Sequence, residues 1–212
     1  MMAEASVDPL QRIRRALADS AEHPRRMAEL DTPSAWADLL SQAFLATLKP
    51  AAVLIPVLTF RQQPSVLLTR RAELLRNHGG QISFPGGRRD DTDVSFSASA
   101  LREAHEEIGL PREAVEVIGY LDDYPTLTGY RVTPVVGFVD TPFTPTPQAD
   151  EVAEVFELPL ADALDASRYE QHTATRDGIE YRLWELHWQS YRIWGATAAI
   201  LWAFRRQVMG DG

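Results

Sequence analysis

Residues Gly87 to Leu110 read GRRDDTDVSFSASALREAHEEIGL, a glycine turn followed by a helix crowded with carboxylates. At about 100° per residue, Glu103, Glu106 and Glu107 share one helical face, because they stand three and four positions apart. Like charges so placed repel, by roughly 0.2–0.5 kcal/mol per pair on an isolated helix, so the face needs ample water or a cation. A hard divalent ion such as Mg2+ or Mn2+ suits carboxylate oxygens and keeps positions open for phosphate, and the chain has no thiolate or histidine cluster to compete for that role. An acidic triplet alone is most often a solvated face. Here it has company: Gly86 and Gly87 precede it, Arg102 adjoins Glu103, Gly109 falls where a left-handed cap is due, and Pro111 bars continuation. The combination points to metal-dependent phosphate chemistry.

The whole chain narrows the setting. Its 212 residues, 45% of them hydrophobic, are enough for one sizeable core and little more than a single domain with terminal additions. There is no cysteine, so disulfides, thiolate zinc sites and thiol nucleophiles are excluded. The first twenty residues carry scattered charges and no apolar core of signal-peptide length, and no run approaches a membrane span. A cytoplasmic protein without membrane partners is expected. A net charge of −9 argues against general nucleic-acid binding and leaves room for a small anionic substrate at a local basic patch.

Outward from the opening stretch, the pattern is mixed. Residues 8–19 and 33–48 have helical spacing, with Leu10, Ile13 and Leu17 in the first and Trp36, Leu39, Leu40 and Phe44 in the second. AAVLIPVLTF (51–60) and SVLLTRR (65–71) read as strands joined in a hairpin by the turn Arg61 to Pro64. Residues 114–124, 131–140 and 178–188 are strand-like, the Pro/Thr stretch 141–148 is a loop, and GATAAILWAFRRQV closes the chain as a helix. Strands and helices in this order predict an α/β or α+β architecture.

The segment at residues 87–110 resembles the Nudix box, in which G, five residues, E and seven residues lead into REUxEExGU with U a bulky apolar residue. Gly87, Arg102, Glu103, Glu106, Glu107, Gly109 and Leu110 match it. Asp93 stands where the pattern has its first glutamate, one extra residue separates it from Arg102, and Ala104 is small for its apolar slot. Asp93 is therefore expected to cap or hydrogen-bond the turn. The resemblance implies the Nudix fold, a mixed central β-sheet sandwiched between helices, over residues 50–212, with residues 1–49 a helical segment packed on that core.

The residues leading into the turn, LLTRRAELLRNHGGQISFPGG (67–87), resemble the signature of the coenzyme A pyrophosphatase branch, with matches at Arg71, Ala72, Leu75, Arg76, His78, Gly80, Phe84, Pro85, Gly86 and Gly87. TGYRVTPVVGFV (128–139) and WGATAAIL (194–201) resemble that branch too. The resemblance implies cleavage of the diphosphate of coenzyme A or acyl-coenzyme A to 3',5'-ADP and a 4'-phosphopantetheine product. Glu103 and Glu107 would be inner ligands of Mg2+ or Mn2+, Glu106 would bind a second ion directly or through water, and Arg102 would orient the carboxylates. Arg71 and Arg76 are candidates for the substrate phosphates, with His78, Gly86 and Gly87 beside them. Arg70, Arg88 and Arg89 add further guanidinium groups around the turn. Glu151, after the proline-rich loop, and Glu103 compete as general base. A Nudix hydrolase of another nucleoside diphosphate derivative, such as ADP-ribose or a dinucleotide, is the alternative; a catalytically silent nucleotide-binding module is a remote one. A monomer and a homodimer both stay open.

Overall fold

The apolar run at residues 49–58 becomes β1 (Lys49–Leu58), the strand on which the main sheet of the computed structural model is organised; the structure describes residues 8–22, 26–28, 42–73, 79–176 and 179–210. The other elements before the proline-rich loop are α1 (Pro9–Leu17), α2 (Gln42–Thr47), β2 (Ser65–Arg71), β3 (Ile82–Ser83), β4 (Gly86–Arg88), α3 (Phe96–Ile108), β5 (Val115–Tyr120), β6 (Tyr124–Pro125) and β7 (Tyr130–Val139). After it come β8 (Val152–Pro159), α4 (Leu160–Leu164), β9 (Tyr169–Arg176), β10 (Ile179–Trp188), β11 (Tyr191–Trp194) and α5 (Ala196–Met209).

Successive side chains of β1 enter two different cores. Ile55 and Val57 join one cluster and Ala52 and Leu54 the other, which is why its sequence is a continuous apolar run rather than an alternating one. β1 runs parallel to β7 from Lys49↔Tyr130 to Leu58↔Val139, while β5 and β6 pair with β7 antiparallel. The sheet is therefore mixed, as expected. Helix α3 covers one face through Phe96, Ala100, Ala104 and Ile108. On the other face lie α1, α5 and an antiparallel three-stranded sheet of order β11-β10-β9, joined through Ile13, Leu17, Leu186, Ile193, Leu201 and Phe204.

The predicted β1–β2 hairpin is real only at its closed end. The two strands pair at Val57↔Val66 and Leu58↔Ser65 and then splay, and residues 82–88 occupy the gap. There β3 pairs with β2 at Thr69↔Ser83 and Arg70↔Ile82, and β4 pairs with β1 from Ala51↔Arg88 to Val53↔Gly86. The cause is a difference in outer partners. β1 is held by β7 along its length and β2 by β8 from Ser65↔Pro159 to Arg71↔Val152. Sheet twist then carries their far ends apart, and the wedge satisfies the inner backbone edges so exposed.

Other expectations shift in detail. Residues 114–124 do not form one strand: a 3-10 turn at Arg112–Ala114 precedes β5, which ends at Tyr120 before the separate bridge at β6. The residues that follow Glu151 form β8, whose partner β2 could not be inferred from its own sequence. Of the second N-terminal helical segment, α2 is described, whereas Trp36, Leu39 and Leu40 lie outside the described residues. The N-terminal part meets the rest at Ile13 and Leu17 in the core and at residues 26–28, where Ala28 N–H donates to Asp123 O and Asp123 N–H to Arg26 O. Among the described residues no helix is long and apolar enough to cross a membrane.

Candidate active site

Helix α3 stops where its sequence predicts, and the structure adds the cap at its start. Ser95 accepts a hydrogen bond at 2.9 Å from the Ala98 N–H, and Gly109 ends the helix at φ 69°. The small Ala104 is fully buried beneath the acidic face. That face carries Glu103 half-buried, Glu106 exposed and Glu107 buried.

The glycine turn is shaped around two of these carboxylates. A Cβ on Gly87 would stand 2.6 Å from the Glu103 carboxyl carbon, so any larger residue would push that carboxylate aside. Gly86, at φ 155°, presses against β1, where an added Cβ would meet the Ala52 carbonyl at 2.5 Å. Its N–H donates to Glu107 Oε2 at 3.2 Å, and Arg71 Nη1 lies 3.8 Å from Glu107 Oε1. Those contacts do not compensate the charge: burial pushes the Glu107 carboxyl up to about 7, the Gly86 N–H and Arg71 oppose it in part, and Glu103 and Glu151 push it further. Glu103 is also raised, first by its own burial, with Arg102 opposing and Glu106 and Glu151 adding. Glu151 thus acts on both from the turn before β8, where it is exposed and its carbonyl accepts from the Ala72 N–H at 2.9 Å.

Arg102 ties the acidic groups together. Its Nε and Nη2 donate to the two Asp93 oxygens at 3.1 and 2.9 Å, its Nη1 donates to Glu103 and Glu106 at 2.9 Å each, and Nη2 also reaches the Arg88 carbonyl at 3.2 Å. The Arg102 pair and the Asp90 N–H at 2.9 Å hold the Asp93 carboxyl down at about 2. Asp93 is spent on the turn and on Arg102, and it does not join the Glu103–Glu107 pair.

The donor set fits a hard cation. Every candidate atom is a carboxylate oxygen, and two of the groups are desolvated carboxylates with less positive charge nearby than they need. Among the described residues no three such groups already stand grouped as a ligand set, and Glu106 is turned toward Arg102.

The remaining expected residues divide. Arg71, Gly86, Gly87 and Glu151 are brought to the carboxylates, while Arg76 and His78 lie outside the described residues. Arg70 points to Glu154 at 2.9 Å, and Arg89 donates to the Asp93 carbonyl at 3.0 Å with its guanidinium 4.7 Å from the Phe96 ring centre. One residue had no sequence signal at all: Glu22 accepts from the Phe96 N–H at 2.5 Å, at the first turn of α3, and from the Tyr120 hydroxyl at 3.3 Å. A contact across 74 positions leaves no local pattern to read.

Comparison with known proteins places these features. Residues 48–178 match the family model described as NUDIX domain. The chain is 50% identical over 153 residues to a protein of Cronobacter sakazakii described as an uncharacterized Nudix hydrolase NudL, covering 72% of this chain and 79% of that relative. A protein of the same description from Enterobacter is 48% identical over the same coverage. Among solved structures, the Nudix hydrolase RenU of M. smegmatis is similar with a TM-score of 0.46 and 26% identity, over 54% of this chain and 72% of that one.

Proposed function

The chain belongs to the Nudix hydrolase family, and from that membership we propose that it hydrolyses the diphosphate of coenzyme A and its thioesters, giving 3',5'-ADP and 4'-phosphopantetheine or its acyl derivative. The observation that carries the reading is the 3.8 Å approach of Arg71 to Glu107. It joins the segment that resembles the coenzyme A signature to the box that resembles the hydrolytic centre, so that a phosphate-binding candidate, Arg71, and a metal-binding candidate, Glu107, share one wall.

Nudix hydrolases generally use divalent ions such as Mg2+ or Mn2+, and here Glu103 and Glu107 would hold the ion with Glu106 as a further ligand. When bound, the ion supplies Lewis acidity toward the diphosphate oxygens. The protein's own groups do the rest. Arg71 offers a guanidinium to a phosphoryl oxygen while it neutralises part of the Glu107 charge. Arg102 fixes the rotamers of Glu103 and Glu106 and, through Asp93, fixes the turn that cradles them. Glu151, solvated and within electrostatic reach of both buried carboxylates, is the proposed acceptor of the proton from the attacking water, with Glu103 the rival. Arg76 and His78 are proposed to contact the substrate from the segment before the turn.

Chromatographic identification of the products formed from coenzyme A, with and without Mn2+, tests the reading. Release of 3',5'-ADP only when metal is present is the expected result. Cleavage of ADP-ribose far exceeding that of coenzyme A would reject it in favour of another nucleoside diphosphate derivative.

A further inference from the structure

The stretch at residues 194–201 has no part in the chemistry above, yet the structure brings its first residue to the segment that precedes the glycine turn. An open cavity of about 450 Å³ is lined by Arg70 and Gly80 on one side, by Glu154 of β8, and by Tyr191, Arg192 and Trp194 of β11 on the other. Arg70 and Arg71 are neighbours on β2 with divergent side chains, Arg71 toward Glu107 and Arg70 toward Glu154. The cavity and the carboxylates therefore flank one short piece of chain. At ~3.6 Å per residue, the four steps from Ile82, which also lines the cavity, to Gly86, which donates to Glu107, span at most about 14 Å.

The walls are built and held. Tyr191 stacks on Phe156 with ring centres 3.9 Å apart, and the Thr197 hydroxyl donates to the Ile82 carbonyl at 2.9 Å, which fixes β11 and the start of α5 over β3. The two Glu154 oxygens are taken by Arg70 at 2.9 Å and by the Tyr191 hydroxyl at 2.5 Å. Arg192 is clamped on the buried Glu185 through Nε and Nη2, at 2.8 and 2.6 Å, which uses two of its five N–H donors. Its side chain stays 61% exposed, and the guanidinium carbon lies 5.7 Å from the Trp194 ring centre. Trp194 is 37% exposed, one of few large apolar side chains to be so among the described residues. A flat exposed ring beside a preorganised guanidinium is suited to a purine carrying a phosphate.

We infer that this cavity receives the 3'-phosphoadenosine end of the substrate, with the purine stacked on Trp194 and the 3'-phosphate met by Arg192 and Arg70. The inference rests on the coenzyme A reading. It assigns the substrate a direction: the diphosphate at Glu103 and Glu107, the nucleoside across the 80–87 segment toward β11, and the pantetheine arm away from both.

Steady-state kinetics on coenzyme A and on dephospho-coenzyme A, which lacks the 3'-phosphate, test it in the full chain with Mn2+. Trp194→Ala is expected to raise KM for both substrates about ten-fold with kcat within two-fold of the wild type, and Trp194→Phe to restore most of the loss. The double variant Glu185→Gln with Arg192→Gln removes the cation without stranding a buried charge, and it should abolish the wild-type preference for coenzyme A over dephospho-coenzyme A. Unchanged KM values in folded Trp194→Ala, or an unchanged preference in the double variant, overturn the subsite while leaving coenzyme A turnover standing. A wild-type protein that releases no 3',5'-ADP at all overturns the coenzyme A reading and the phosphate assignment together.

Discussion

Glu107 on the box helix and Glu185 on the small C-terminal sheet are buried almost equally, at 3% and 6% exposure, yet their charges meet opposite conditions. Glu185 receives two hydrogen bonds from Arg192 and one from His187, and these hold its carboxyl down at about 2. Glu107 has one backbone N–H and a guanidinium at 3.8 Å, with two more carboxylates close enough to push it up, and it sits at about 7. Desolvation raises both groups, as the leading cause at Glu107 and as a lesser one at Glu185. The difference lies in depth and in supply: Glu185 is covered mainly by Arg192 and His187, themselves exposed, which bring the compensating charge, whereas Glu107 lies deep and its partners stop short of balancing its burial. A buried carboxylate left partly uncompensated takes up either a proton or a cation, and its oxygen donors suit an oxygen-seeking cation.

Four experiments bear on that contrast, beginning with the largest effect. Glu107→Gln should lower kcat by about 10³-fold while the thermal midpoint holds or rises, since a desolvated charge is neutralised; near-normal turnover would break the assignment. Gly87→Ala should displace the Glu103 carboxylate and cost about 10²-fold in kcat, with far-ultraviolet circular dichroism unchanged. Full activity there would mean that the cradle does not matter. Glu185→Gln should move stability the other way from Glu107→Gln, with a lower midpoint in urea unfolding because charge-assisted hydrogen bonds are lost, the loss being limited by the exposure of Arg192 and His187. If both glutamine variants shift the midpoint in the same direction, the contrast is false.

Acidity gives the smallest signal and the most direct one. Asp93 and Glu185 titrate near 2 in the folded protein, below the ordinary carboxylate range around 4. Their contribution to stability is therefore complete above about 4 and is lost as pH falls toward 2. For Glu107 the sign reverses. Its folded pKa lies above the unfolded one, so in metal-free protein the associated stability is present at acid pH and is lost as pH rises through about 7. Thermal midpoints recorded from pH 5 to 8 in chelator should show this decline in the wild type and not in Glu107→Gln.

What the sequence disclosed follows from which interactions are local. The acidic face, its Gly109 cap and the glycine turn were legible because each is set by residues within about one helical turn of the next. The central strands were legible because both of their faces are apolar. The opened β1–β2 hairpin was not, because it depends on β7 and β8, whose pairing with β1 and β2 has no mark in the 51–71 stretch itself. Asp93 was ambiguous in sequence and became clear only once Arg102 was seen reaching across nine residues to both of its oxygens. Glu22 and the Trp194 cavity escaped for the same reason on a longer scale, since their partners come from distant strands and helices.

The parallel pairing of β1 with β7 has a consequence in time. Each partner in that ladder is 81 positions from its mate, as Lys49↔Tyr130 shows, and such contacts repay their loop-closure entropy only late in folding. The wedge that carries Gly86 and Gly87 hangs on one edge of β1, and the other edge of β1 gains its partner only once the chain has been synthesised past residue 139. A nascent or truncated chain that ends before β7 would carry the acidic helix and its turn on a strand with one edge unpaired.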